Sequence, residues 1–205
     1  MIRIYKLISI LFHPILLPIV STILFFILSQ TPLDQNSIYR ILIIVATATY
    51  IIPLFILYLL KKTKLIKSFE VENIQERKIP ILFMIVLFYF LGKTLGKIPE
   101  IVQLSILFLG SSLSLSICYF LFRKQTKTSI HMIGIGSLLA FLITYSLSQQ
   151  TNILLIISFL SVLSGIIGHA RLYLKAHSLK EVIAGFSIGF MSQIILFIYA
   201  FNFSG

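Results

Sequence analysis

The sequence predicts an all-α fold, a polytopic transmembrane helical bundle of six to seven spans that forms one integral membrane domain over residues 1–205. Hydrophobic residues make up 58% of the chain, charged residues only 11%, and the mean hydropathy is +1.04. A soluble domain of this size cannot hide so much apolar surface, so lipid has to be its solvent. The apolar residues are also grouped into runs near the 20 residues that a membrane-spanning helix needs.

Seven apolar runs are candidate helices. They cover residues 7–29, 39–60, 79–96, 101–122, 131–148, 152–168 and 181–203. The first two are leading spans within residues 1–60, and the others belong to a core at 61–205. The first run is too long for a signal peptide and has no small-residue cleavage pattern, so we expect a retained span.

Two features modify these helices. Lys93 and Lys97 erode the far end of the third run, which makes it the weakest span and one that depends on lysine snorkelling. Pro14, Pro18 and Pro53 lie inside runs, and proline inside a lipid-embedded helix predicts a kink.

Positive charge is concentrated on one side of the predicted bundle. On a seven-span count, fourteen of the 17 Lys and Arg residues fall on the side of the N-terminus. Only Arg40, Lys93 and Lys97 fall on the other. The positive-inside rule makes the basic face cytoplasmic, and the net charge of +11 then reflects topology and anionic lipid headgroups. The sequence does not favour nucleic-acid binding, because the chain has no basic domain with interleaved aromatic residues.

Three segments of this basic face have residue types that a solvated loop does not need. They are Glu-Arg-Lys-Ile-Pro at 76–80, Thr-Ser-Ile-His at 128–131, and the stretch from Arg171 to Gly185. A guanidinium presents a planar fork of donors to phosphate oxygens, and a serine hydroxyl adds another donor. Two histidines can divide the roles of nucleophile and acid between them. Together these groups predict a site for phosphoryl transfer.

The three segments resemble the signature motifs of the type 2 phosphatidic acid phosphatase superfamily, which includes lipid phosphatases and vanadium haloperoxidases. The family's third motif, Ser-Arg-x5-His-x3-Asp followed by Val-x2-Gly-x3-Gly, is matched by several residues in order. These are Ala170, Arg171, His177, Glu181, Val182, Gly185 and Gly189. Its second motif, Pro-Ser-Gly-His, corresponds to residues 128–131, with Ile130 in place of glycine.

The family's first motif, Lys-x6-Arg-Pro, is matched least well. Arg77 is present, but the proline is Pro80, three residues further on. Glu70 stands where the lysine belongs, and Lys67 is the nearest basic residue. The resemblance covers residues 77–189 and leaves the first two spans unaccounted for.

The resemblance implies a role for each matched residue. His177 would be the nucleophile that takes the phosphoryl group as a phosphohistidine, and His131 the general acid that protonates the leaving oxygen. Arg77, Arg171 and Ser129 would hold the phosphate oxygens. Glu181, four residues after His177, would accept the second ring N–H of His177 and set its tautomer. No metal or other cofactor is required.

Each assignment has a structural alternative. Ser178 and Glu181 have the spacing of a helix capping box, and this role can coexist with tautomer control. The two arginines, Arg77 and Arg171, could be inside-positive anchors, and His131 or His177 could be a histidine at headgroup level.

The expected function is therefore hydrolysis of a lipid phosphate or prenyl diphosphate in the bacterial inner membrane. Two alternatives come from other classes of protein. A catalytically inactive lipid-phosphate binder, transporter or scaffold would keep the arginines without needing the histidines, and a plain membrane partner subunit would need neither. The expected partners are the phosphorylated lipid and the surrounding membrane lipids. The charge bias places the motif face in the cytoplasm, whereas bacterial members resembling this chain act on the outer face of the inner membrane.

Overall fold

The computed structural model describes residues 2–69 and 73–202, with side chains up to residue 200, and within these ranges the regular structure is entirely helical. An all-helical architecture is the expected one, because a helix satisfies every backbone polar group within its own segment when lipid replaces water. The α-helices are α1 (Ile2–Leu11), α2 (Leu17–Leu28), α3 (Gln35–Ala46), α4 (Ile52–Lys62), α5 (Ile74–Leu95), α6 (Val102–Phe122), α7 (Ile130–Gln149), α8 (Leu154–Tyr173) and α9 (Leu179–Asn202).

Six helical segments of the described chain are long and apolar enough to cross a membrane. They are Gln35–Lys62, Ile74–Leu95, Pro99–Phe122, Ile130–Gln149, Leu154–Tyr173 and Leu179–Ala200. Their lengths and composition confirm the prediction of a helical integral membrane protein. The first of them joins α3 to α4 through a π-helical turn at Thr47–Ile51, just before Pro53. A π turn is one of the usual ways in which a helix accommodates a neighbouring proline.

The prediction of one continuous helix over residues 7–29 was wrong. This run is divided into α1 and the shorter α2, with an irregular turn between Leu11 and Leu17. Pro14 explains the break, because it lacks a backbone N–H and disfavours the helical conformation of His13 before it. Pro18, by contrast, lies in the first turn of α2, where proline is tolerated.

Two helices extend beyond their apolar runs into the neighbouring basic connectors. α5 begins at Ile74 instead of residue 79, so Arg77 lies on a helix and not in a connector. α8 continues to Tyr173 instead of ending at residue 168, which places Arg171 in its last turn. Both helices continue past the apolar run because a charged side chain at the end of a span can reach the headgroup region.

The described residues form two compact units, one of them made of residues 18–69 and 73–127. In this unit α5 and α6 are joined by serine hydroxyls that donate across the helix pair. Ser105 donates to the carbonyl of Gly92 at 2.7 Å, and Ser112 donates to that of Ile85 at 2.9 Å. Such bonds between helices supply attraction that the hydrophobic effect does not provide inside a bilayer.

The other unit consists of residues 2–17 and 128–202, and its centre is the pair of helices α7 and α9. Small residues bring their backbones together. A Cβ added at Gly136 would lie 2.5 Å from the carbonyl oxygen of Phe186, and one added at Gly189 would overlap that of Ile133. The hydroxyl of Ser137 donates to the Gly189 carbonyl at 3.2 Å. This close approach aligns the N-terminal ends of α7 and α9.

Other glycines in the apolar runs differ from this pair. An added Cβ at Gly136 would meet the backbone of a neighbouring helix. One added at Gly134 would instead meet the side chain of Leu17, and one added at Gly168 that of Val182. Gly165 has no atom within 4 Å of an added Cβ, so no neighbouring helix packs closely against it.

We expect Gly189→Ala to destabilise the fold and Gly165→Ala to leave it unchanged or slightly more stable. An added methyl at Gly189 has to push α9 away from the Ile133 carbonyl, and overpacking of this kind costs about 1–3 kcal/mol. At Gly165 the same methyl enters open space and gains the better helix propensity of alanine. Thermal unfolding of both variants in the same detergent measures the difference. Equal unfolding temperatures would show that α7 and α9 do not pack through Gly189.

Candidate phosphate site at one end of the α7, α8 and α9 helices

The candidate residues of the second and third motifs lie where three helix ends meet in one unit. Ser129 and His131 are at the start of α7, Arg171 is in the last turn of α8, and Glu181 is in the first turn of α9. His177 lies in the short connection between α8 and α9. Two helix N-termini therefore lie at this end, and the positive ends of their dipoles favour an anion there.

His177 is held by Glu181. The side chain of His177 is only 2% exposed, and its Nδ1 lies 2.6 Å from Oε2 of the carboxylate. An ionised carboxylate can only accept, so Nδ1 carries the proton of this hydrogen bond. In the neutral imidazole the lone pair is then on Nε2. The contact fixes the orientation and the tautomer of the His177 ring.

Glu181 also caps α9. Its Oε2 accepts from the amide of Ser178 at 3.4 Å, and the Ser178 hydroxyl accepts from the amide of Glu181 at the same distance. This is the reciprocal pattern of a capping box. The two arrangements considered for Glu181 thus occur together, and the capping contacts add to the orientation of the carboxylate that holds His177.

Ser129 is completely buried between the ends of α7 and α9. Its amide donates to the carbonyl of Glu181 at 3.2 Å, and its carbonyl oxygen would lie 2.5 Å from a Cβ added at Gly185. Only glycine at 185 lets the two backbones approach this closely. The Ser129 hydroxyl finds no hydrogen-bond partner among the described residues. A buried hydroxyl without a partner is costly, and a bound phosphate oxygen would satisfy it.

His131 and Arg171 are connected through Ser9 of α1. The Nη1 of Arg171 donates to the Ser9 hydroxyl at 2.5 Å, and the Nε2 of His131 lies 3.1 Å from the Ser9 carbonyl oxygen. Because a carbonyl only accepts, this Nε2 carries a proton. His131 is 8% exposed and interacts electrostatically with Arg171 and His177. His131 and the half-buried Arg171 therefore lie around the same end of this unit as His177.

The N-terminal segment contributes residues that the sequence analysis missed. Besides Ser9, His13 packs edge-on against His131, with ring centroids 5.5 Å apart. Its Nδ1 accepts from the amide of Ile15 at 3.3 Å in the turn before α2. The sequence feature that indicates this segment is the pair His13-Pro14. The residue before a proline disfavours the helical conformation, so the pair predicts a break that separates α1 from the helix that follows.

The first-motif residues belong to the other unit. Arg77 is buried, 7% exposed, within α5, and its convergence with the other candidates stays a prediction. Lys67 is exposed, and its amide donates to the carboxylate of Glu76 at 3.3 Å. Glu70, at the position of the family's lysine, lies outside the described residues.

Across residues 2–69 and 73–202, no group of three or more His, Cys, Asp and Glu side chains is arranged to hold a metal ion. Comparison of the chain with protein-family models, with curated proteins and with solved structures found no match in any of the three.

Proposed function

We propose that this protein is a membrane-embedded phosphatase that hydrolyses a lipid phosphate or prenyl diphosphate through a phosphohistidine at His177. The observation that carries the proposal is the 2.6 Å contact between Nδ1 of His177 and the carboxylate of Glu181. It leaves Nε2 with the lone pair that a nucleophile needs, and it stabilises the positive charge that the ring gains when Nε2 bonds to phosphorus. A lipid-phosphate binder would need the arginines without this oriented histidine.

The first chemical step transfers the phosphoryl group to the protein. Nε2 of His177 attacks phosphorus in line with the bond to the lipid oxygen. The bond from phosphorus to that oxygen breaks and its electron pair stays on the oxygen. His131, as the imidazolium, donates the proton that makes the leaving group the lipid alcohol, or the prenyl monophosphate when the substrate is a diphosphate. Arg171 and Ser129 stabilise the charge on the remaining phosphate oxygens, which is the main source of catalysis in phosphoryl transfer.

The second step releases phosphate. His131, now without its proton, accepts a proton from water as the water oxygen attacks phosphorus. The bond between phosphorus and Nε2 breaks, and its electron pair returns to the His177 ring. Inorganic phosphate leaves, and both histidines regain their starting protonation states.

The protein would act in the bacterial inner membrane, on an amphiphile whose tail stays in the bilayer while its phosphate reaches the helix ends. The excess of Lys and Arg on that face favours a cytoplasmic site. The resemblance to type 2 phosphatidic acid phosphatases supports the reaction through His177, Arg171 and the second-motif residues Ser129 and His131. Release of inorganic phosphate from lipid phosphates in detergent micelles tests the proposal directly.

We expect Glu181→Gln to lower kcat by about a hundredfold or more while the protein stays folded. Glutamine can still cap α9 and accept from Nδ1, but it cannot offset the charge on the His177 ring during transfer. Steady-state phosphate release measures the loss, and Glu181→Asp should retain activity because it keeps the charge.

Ser178→Ala is the matched control for the capping role of Glu181. It removes the hydroxyl that caps α9 and leaves the carboxylate on His177, so it should cost stability of about 1 kcal/mol with turnover retained. Full activity in Glu181→Gln would show that the carboxylate serves only as a cap.

A further inference from the structure

The helix α1 lies across the candidate phosphate site, and its contacts are concentrated at the end of α8 and the start of α7. Ser9 contacts both Arg171 and His131. One turn earlier, the ring of Tyr5 packs against Tyr173 with centroids 4.2 Å apart, and its hydroxyl lies 3.3 Å from Nε2 of His169. The polar side of α1 therefore faces the site.

Ser9 takes up the same hydrogen-bonding groups that a substrate phosphate would need. Its hydroxyl accepts from Nη1 of Arg171, the guanidinium assigned to a phosphate oxygen. Its carbonyl accepts from Nε2 of His131, the proton assigned to the leaving oxygen. Two oxygens of one residue thus stand in for two oxygens of a phosphate ester. While they remain, the Nη1 hydrogen of Arg171 and the Nε2 proton of His131 that point at Ser9 are not shared with a substrate.

The helix α1 makes few buried contacts with the rest of its unit. No residue of α1 is fully buried, and apolar side chains such as Ile4, Leu7 and Leu11 are more than half exposed. The irregular turn at residues 12–16, which contains Pro14, can serve as a hinge. A short helix with few buried contacts opens at low free-energy cost. A charged phosphate also forms stronger hydrogen bonds with Arg171 than a neutral hydroxyl does.

We propose that α1 is an autoinhibitory lid, which closes the site by placing Ser9 between Arg171 and His131 and is displaced when a phosphorylated lipid binds. This inference rests on the proposed function, because it names the regulation of the same site. Substrate binding and lid opening are then coupled, and the apparent affinity for phosphate is reduced by the fraction of molecules that are closed.

Substitutions at Ser9 with opposite expected effects test the lid. Ser9→Ala removes the acceptor for Arg171, and we expect inorganic phosphate to bind about tenfold more tightly, with a matching decrease in KM for a lipid phosphate. Ser9→Asp places a carboxylate against Arg171 and should weaken both about tenfold. Ser161→Ala is the matched control, because Ser161 is exposed on α8 and its hydroxyl bonds only to its own helix, at the Ile157 carbonyl.

Hydrogen exchange gives a readout independent of turnover. In the wild-type protein, saturating inorganic phosphate should increase amide exchange in α1 and leave α9 unchanged. If the Ser9 variants and the control bind phosphate equally, or if phosphate binds without changing exchange in α1, the lid is refuted while the proposed function stands. If Ser9→Ala binds phosphate more weakly than the wild-type protein, Ser9 helps to position Arg171 for phosphate, and the lid is also refuted. If no variant binds or releases phosphate, the proposed function fails and the lid fails with it.

Discussion

Replacement of His177 by asparagine should reduce phosphate release at least a thousandfold while leaving the protein folded. Asparagine can still donate to Glu181 from its amide nitrogen, so the end of α9 keeps its contacts. It has no nucleophilic nitrogen to take the phosphoryl group, and loss of a nucleophile typically costs this much or more. Steady-state release of inorganic phosphate from a lipid phosphate measures the effect.

Binding of inorganic phosphate is the control for this variant. Arg171 and Ser129 remain, so His177→Asn should bind phosphate as the wild-type protein does. A loss of binding together with turnover would point to a damaged site and not to a missing nucleophile. Turnover within tenfold of the wild-type rate would exclude His177 as the group that receives phosphate.

Replacement of Arg171 by glutamine should lower kcat/KM by about a hundredfold to a thousandfold. The guanidinium lies at the end of α8, where it can place two parallel donors on phosphate oxygens, and removing one preorganised donor from a transition state has an effect of this size. Arg171→Lys keeps the charge and loses the planar fork, so it should restore only part of the rate.

Arg123 offers a matched control for Arg171. It follows the end of α6, is exposed, and falls on the basic side that the sequence predicts. Arg123→Gln removes one positive charge outside the three motif segments, so kcat/KM should change less than twofold. Equal losses in both arginine variants would mean that the arginines act through the overall field of the basic face.

Much of the helical fold could be predicted, because a segment that crosses a bilayer has to satisfy its backbone hydrogen bonds within itself. Each run of about 20 apolar residues becomes a helix, and residues 101–122 and 131–148 lie within one residue of α6 and α7. The predicted helix ends were wrong where a charged residue lies inside a helix, as Arg77 does in α5 and Arg171 does in α8. The division of the first run into α1 and α2 was not predicted, because the apolar composition is continuous across the break. The one residue that indicates the break is Pro14.

Local contacts of the candidate site were predictable and distant ones were not. His177 and Glu181 are four residues apart at a helix start, so their contact follows from local geometry. Ser9 is 162 residues from Arg171, and nothing in a short apolar helix identifies that contact. The close approach of Gly185 to Ser129 likewise depends on packing between helices, which sequence spacing alone does not reveal.

In the proposed mechanism, His177 carries the phosphoryl group between substrate and water. Rapid quenching of the protein during turnover, followed by mass spectrometry of peptides under alkaline conditions that preserve phosphohistidine, tests it most directly. We expect a phosphorylated peptide with the group on His177, absent from His177→Asn and reduced in Glu181→Gln, which slows transfer of the phosphoryl group to the ring. Phosphate release without any phosphohistidine, or a phosphoryl group on another residue, would contradict the claim.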